Sequence, residues 1–206
     1  IKKFEILHLS RSDLQLGRRY VSQLLNNGLP MGLQFSITAI GSLLLQSAVN
    51  RLGASSVAAY AAAYKVQVFV SCPFDALGTT MSNFGAQNVG ARKFPRIKEG
   101  LRDGVILGLS YSVIAFVIVF FWGRELGGLF IDKSETKILD QVQQFLTACG
   151  ATYGLLALIM TIRLMIQGMG YTNIAMLAGV CELISRAIVA IFLVPASGWI
   201  VPASSL

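Results

Sequence analysis

Charge is scarce in this sequence. Only 13% of its 206 residues are Asp, Glu, Lys or Arg, about half the share that an ordinary soluble domain carries. Histidine is scarcer still, with His8 alone. No carboxylate pair, Ser/His/Asp set or metal-ligand cluster can be assembled, so enzyme chemistry has nothing to stand on, and no cofactor or metal is expected. Cys72, Cys149 and Cys181 fall inside apolar runs without ligand spacing and read as small buried apolar residues, neither disulfides nor ligands. Residues 1–28 are polar and basic and precede a run too long for an h-region, so they do not read as a signal peptide. The net charge of +7 is no nucleic-acid signature, because no basic patch is interleaved with aromatics on a soluble domain.

What is present is apolar length. The chain is 54% hydrophobic, with a mean hydropathy of +0.65. Five nearly uncharged runs, 29–50, 55–81, 105–122, 142–162 and 171–194, are each long enough to cross about 30 Å of hydrocarbon at 1.5 Å per residue. The fold class that follows is all-α, a polytopic helical membrane protein with five spans. Residues 1–28, 83–104 and the turn at Arg163 hold eleven Lys/Arg, whereas the opposite segments hold four, Arg51, Arg124, Lys133 and Lys137. By the positive-inside rule the amino-terminal end is cytoplasmic, and an odd number of spans leaves the other end outside. Lys2, Lys3, Arg11, Arg18 and Arg19 fit a basic amphipathic helix on the membrane surface, with Ser12 and Gln15 as a weak capping box, or else a solvated linker. The chain opens at Ile1 and closes soon after a span, so it reads as part of something longer.

Pro30 is placed near the start of the first span, where its missing N–H does no harm. Gln34, Thr38, Ser42, Gln46 and Asn50 recur every fourth residue, a row that turns by about 40° per step. Groups of this kind in lipid face other helices or a wet cavity. Cavity lining is weighed for Gln34 and Thr38, and interhelical hydrogen bonding for Gln46 and Asn50. A second row, Gln67, Ser71, Asp75, Thr79 and Asn83, crosses the second run, where Pro73 supplies a kink site and Ala58–Ala63 permits close contact. A charge in mid-membrane costs roughly 2.5–3.5 kcal/mol, so Asp75 and Lys65 each need a reason. Asp75 is either a protonatable, substrate-facing carboxylate or a hydrogen-bond hub bracing the kink; Lys65 is snorkelling or paired. Glu182 and Arg186, four residues apart, make a buried pair for which Arg163 competes.

Gly85-Ala86-Gln87-Asn88-Val89-Gly90-Ala91, followed by Arg92 and Lys93, has the glycine spacing of a phosphate loop but lacks its Lys and Ser/Thr, and it follows a membrane helix rather than a strand. The stretch resembles the cytoplasmic loop after the second span of the C-terminal lobe in the multidrug and toxic compound extrusion family, GQNxGA followed by basic residues. Gly28–Gln34, Asn50–Gly53, Pro73–Gly78, Arg163 with Gln167–Tyr171, and Glu182–Arg186 resemble further segments of that lobe in the same order, across about residues 20–200.

The resemblance implies a twelve-helix antiporter of two lobes with alternating access, driven by H+ or Na+. Residues 1–28 would be the cytoplasmic linker between lobes. Residues 29–206 would be the C-terminal lobe, spans seven to eleven, lacking its last. The expected site is a substrate and ion pathway of Gln34, Thr38, Tyr64, Asp75 and Met160. A structural charge network would comprise Lys65, Arg163, Glu182 and Arg186, and a loop motif Gly85, Gln87, Asn88, Gly90 and Ala91, its glycines allowing a sharp exit. The partners would be amphipathic, often cationic small molecules, the inner-membrane bilayer and the absent N-terminal lobe. Relatives often carry a carboxylate in the lobe's first span and some in its fourth; 29–50 and 142–162 have none, so coupling would rest on Asp75, Glu182 or the other lobe. The alternatives are a flippase for lipid-linked precursors of the same superfamily and a non-transporting fragment with a structural or interaction role.

Overall fold

The computed structural model describes residues 17–132, 134–188 and 191. His8, Lys133, the basic residues of 1–16 and the last residues of the run 171–194 lie outside that description, as does the capping box at Ser12. The described residues form six helices: α1 Arg18–Asn50, α2 Ala54–Gly90, α3 Phe94–Gly127, α4 Thr136–Ala151, α5 Tyr153–Gly168 and α6 Thr172–Ile188. The class is all-α, as composition requires.

The helices are longer and fewer in continuous spans than the apolar runs suggest. α1 and α3 each have the length and hydropathy to cross a membrane, and α4 with α5, bent by 50° at Thr152, makes a third if taken as one. α2 has 37 residues, but its polar row and two charges interrupt the apolar run. α1 begins at Arg18, without a break between 28 and 29, so Pro30 lies in its interior rather than at its start. There its ring leaves the Asn26 carbonyl without a ladder partner.

Two packing groups result. α1 lies chiefly against α6, while α2, α3, α4 and α5 pack on one another, and α1 touches α2 and α5 touches α6 more lightly. The core joins Leu45 and Val49 of α1, Ala59, Ala63, Val66 and Phe74 of α2, Ala115 and Val119 of α3, Val142, Phe145 and Leu146 of α4, and Tyr153 of α5. Apolar packing alone gives little preference for protein over lipid, so close approach and polar ties must add to it. The seam between α2 and α5 supplies the approach. A Cβ on Gly168 would run into the backbone carbonyl of Ser82, and one on Gly85 would meet the Met165 side chain and carbonyl at 3.2 Å. The polar ties cross between helices: the Tyr153 hydroxyl donates to Gln67 Oε1 at 2.8 Å, Gln143 Nε2 to the Phe120 carbonyl at 2.8 Å, and the Tyr111 hydroxyl to the Val70 carbonyl at 3.0 Å.

Two further findings correct the sequence reading. Cys72 and Cys181 lie on the outside of the bundle, and of the three cysteines only Cys149 is in the core. The Gly85–Gly90 motif is not a loop but the last turns of α2. The Asn88 amide donates to the Phe84 carbonyl at 2.8 Å, and the chain reverses at Arg92, whose φ is +57°. Lys93 N–H bonds the Asn88 carbonyl at 2.8 Å and Arg92 N–H that of Val89 at 3.0 Å, the paired bonds of a helix stop that ordinarily places glycine in the left-handed position. At the end of α5 the same pattern does use glycine, Gly170 at φ +98°.

Candidate functional site

The charged cluster in the bundle is assembled from α1, α5 and α6. Glu182 and Arg186 share one face of α6 because they are four residues apart, and Arg186 Nη2 lies 2.5 Å from Glu182 Oε1. Arg163 of α5 reaches the other carboxylate oxygen, Nη1 to Oε2 at 3.1 Å. Glu182 therefore serves both arginines rather than choosing one. Side-chain exposure is 12% for Arg163, 19% for Glu182 and 10% for Arg186. Arg186 Nη1 also donates to the Thr38 carbonyl at 3.3 Å and to Ser42 Oγ at 3.4 Å, which ties α6 to α1.

Small residues make room for the guanidinium groups. A Cβ on Gly41 would stand 3.1 Å from Arg186 Cδ, and one on Gly179 would stand 3.2 Å from Gln34 Cγ and 3.3 Å from Arg163 Nη2. Gln34 is thus buried beside Arg163. Above Arg186, Thr38, Ser42, Leu45, Tyr60 and Tyr64 close a recess of about 150 Å³. Tyr60 and Tyr64 stack across one helical turn, ring centroids 6.0 Å apart.

Of the residues expected along a pathway, Thr38 and Tyr64 meet at this recess, and Gln34 lies next to the cluster beneath it. Met160 packs half-buried against the core. Asp75 is exposed on the outer face of α2, and its carboxylate has no hydrogen bond or ion pair among the described residues. Lys65 stands apart from the arginine cluster, its ammonium 5.3 Å from the centre of the Phe130 ring. Gln46 bonds Asn50 within α1 at 3.0 Å, rather than across to another helix. Sequence reasoning did not single out Tyr60, Gly41 or Gly179, and took Ser42 only as one of a row. The Tyr60–Tyr64 spacing was visible; the role of the glycines required knowing which helices face each other.

The chain resembles known transporters in sequence and in fold. The MatE family profile matches residues 30–192. The "Probable multidrug resistance protein YoeA" of Bacillus subtilis is 27% identical over 126 residues, 61% of this chain and 27% of that protein. The "FAD transporter" of Shewanella oneidensis is 22% identical over 159 residues, 77% of this chain and 35% of that protein. A solved MOP superfamily transporter from Pyrococcus furiosus, described as having a binding pocket of reverse polarity, superposes with a TM-score of 0.73 at 18% identity over 89% of this chain and 40% of its own. The chain therefore spans between a quarter and two fifths of the proteins it matches.

Proposed function

Because this chain belongs to the MatE family of membrane transporters, we propose that it forms the greater part of the second lobe of an exporter of amphipathic organic compounds. Export would be coupled to inward flow of H+ or Na+, and the rest of the transporter would be a first lobe. The observation that carries this is a polar recess and an ion-paired cluster held between helices of a chain whose profile match covers residues 30–192. The basic turn at Arg92–Lys93 would face the cytoplasm. The carboxylate of Asp75, without a partner among the described residues, would exchange a proton for a cation or meet the other lobe.

The test is dye efflux from vesicles containing the full-length protein, under an imposed pH or Na+ gradient. Asp75→Asn should slow efflux while membrane insertion stays normal, and unchanged efflux would remove Asp75 from the mechanism. Absence of gradient-driven efflux of any organic compound would sink the exporter reading. A second reading, a flippase for lipid-linked precursors, is favoured by one observation: the charged group lining the recess is a cation, Arg186. Movement of a labelled lipid phosphate between leaflets, without dye efflux, would select it.

A further inference from the structure

The charge inside the lobe does not balance. Two guanidinium groups share a single carboxylate, Glu182, which leaves one excess positive charge. Three buried nitrogens of the pair, Arg163 Nε, Arg163 Nη2 and Arg186 Nε, have no hydrogen-bond partner among the described residues. Arg186 also spends Nη1 on two long contacts, at 3.3 and 3.4 Å. A buried, under-partnered guanidinium is unfavourable unless something meets it, and its planar donors match an oxyanion better than any other group. Arg186 is the member of the pair that lines the recess, together with the hydroxyl-bearing Thr38, Ser42, Tyr60 and Tyr64. The recess, at about 150 Å³, is well below the ~300–1,000 Å³ of a pocket for a whole drug-sized molecule.

We propose that this recess is a subsite for one oxyanion group, a carboxylate or a phosphate, of the carried compound, with Arg186 as its counter-ion and the hydroxyl-bearing side chains of Thr38, Ser42, Tyr60 and Tyr64 around it. The inference rests on the transporter reading and narrows its substrates. Compounds bearing an anionic group, including zwitterions, would engage this lobe, and purely cationic ones would not. Nearby carboxylates do not compete. Glu182 is already paired, and Asp75 lies on the outer face of α2.

The experiment is equilibrium binding to the full-length protein in phosphatidylcholine nanodiscs. The probes are pyrenebutyrate and its trimethylammonium isostere, read by pyrene fluorescence. The carboxylate should bind at least tenfold more tightly than the cation. Equal binding, or tighter binding of the cation, overturns the proposal in the unmodified protein, where no folding defect intervenes. Ser42→Leu fills the recess without removing a charge and should weaken pyrenebutyrate at least tenfold; unchanged affinity places the anion elsewhere and overturns the assignment. Competition by added phosphatidylglycerol identifies a lipid headgroup as the source of the oxyanion, and its absence identifies a soluble substrate. Anion binding without gradient-driven efflux would keep the subsite and discard the exporter. Efflux of cationic dye without anion binding would do the reverse.

Discussion

Glu182 is the residue on which the buried charges depend. It accepts from Arg163 and Arg186 at once, so Glu182→Gln leaves two guanidinium groups facing each other without a counter-charge. Removing one partner of a buried ion pair typically costs about 3–5 kcal/mol. The expected outcome is a large fall in the thermal unfolding midpoint of the purified protein, whereas Glu182→Asp should recover part of it. An unchanged midpoint for Glu182→Gln would mean that the cluster is solvated. The pairing of Glu182 with Arg186 was legible from their spacing, because four residues on a helix is one face. The double use of Glu182 was not, because it depends on how α5 approaches α6. Nor did the sequence show that Asp75, with Lys65 one of the two costly charges in the second run, stands on the outer face of α2 without a side-chain partner among the described residues.

At the scale of the elements, the helices were legible from apolar length, but their ends were not. The glycines of Gly85–Gly90 suggested a sharp exit from the helix; in the structure they extend α2, and the left-handed turn residue is Arg92. A side chain in that conformation is disfavoured by roughly 1–2 kcal/mol, a penalty glycine does not carry. Arg92→Gly is therefore expected to raise the unfolding midpoint, and a lowered one would show that the arginine makes a contact worth more than the strain. The division of 142–162 at Thr152 was equally hidden. Its hydroxyl donates locally to the Cys149 carbonyl at 2.7 Å, and Tyr153 anchors the new helix to Gln67 of α2, a tie that belongs to tertiary structure. Pro30 misled in the opposite direction, since a proline suggests a helix start and α1 runs through it.

Glycine packing allows a sharper comparison between elements. Gly168→Ala should loosen the α2–α5 seam and reduce yield and thermal stability in detergent. Gly90→Ala, whose added Cβ meets nothing within 4 Å, should be neutral or slightly stabilising, because alanine favours helix over glycine by roughly 1 kcal/mol. Equal effects of the two would argue against a tight seam.

For the whole molecule, the charge asymmetry of the segments between spans predicts that the α2–α3 turn faces the cytoplasm. The check is a single cysteine at Lys98, exposed on α3, in a protein whose native Cys72, Cys149 and Cys181 are replaced. An impermeant maleimide should label it in inside-out vesicles and not in right-side-out ones; the opposite pattern reverses the topology. If the chain is one lobe, as proposed, these 206 residues should not export dye by themselves. The all-α architecture was legible because it resides in composition and local pattern, and the family because its motifs stand in the sequence. The division into an α1–α6 pair and an α2–α5 group was not, since it arises from which faces meet.

The contact between Gly168 and Ser82 also bears on inheritance. A mutant at Gly168 pushes against a peptide carbonyl, a group that every amino acid at position 82 would supply. Exchanging Ser82 would relieve only the contact with its hydroxyl, at 2.6 Å, and leave the carbonyl in place, so it should not by itself suppress the defect. Revertants of Gly168→Ala should restore glycine itself or map to positions that shift a whole helix, whereas defects at Tyr64, which shares the recess with the side chains of Thr38 and Ser42, should admit suppressors at those positions.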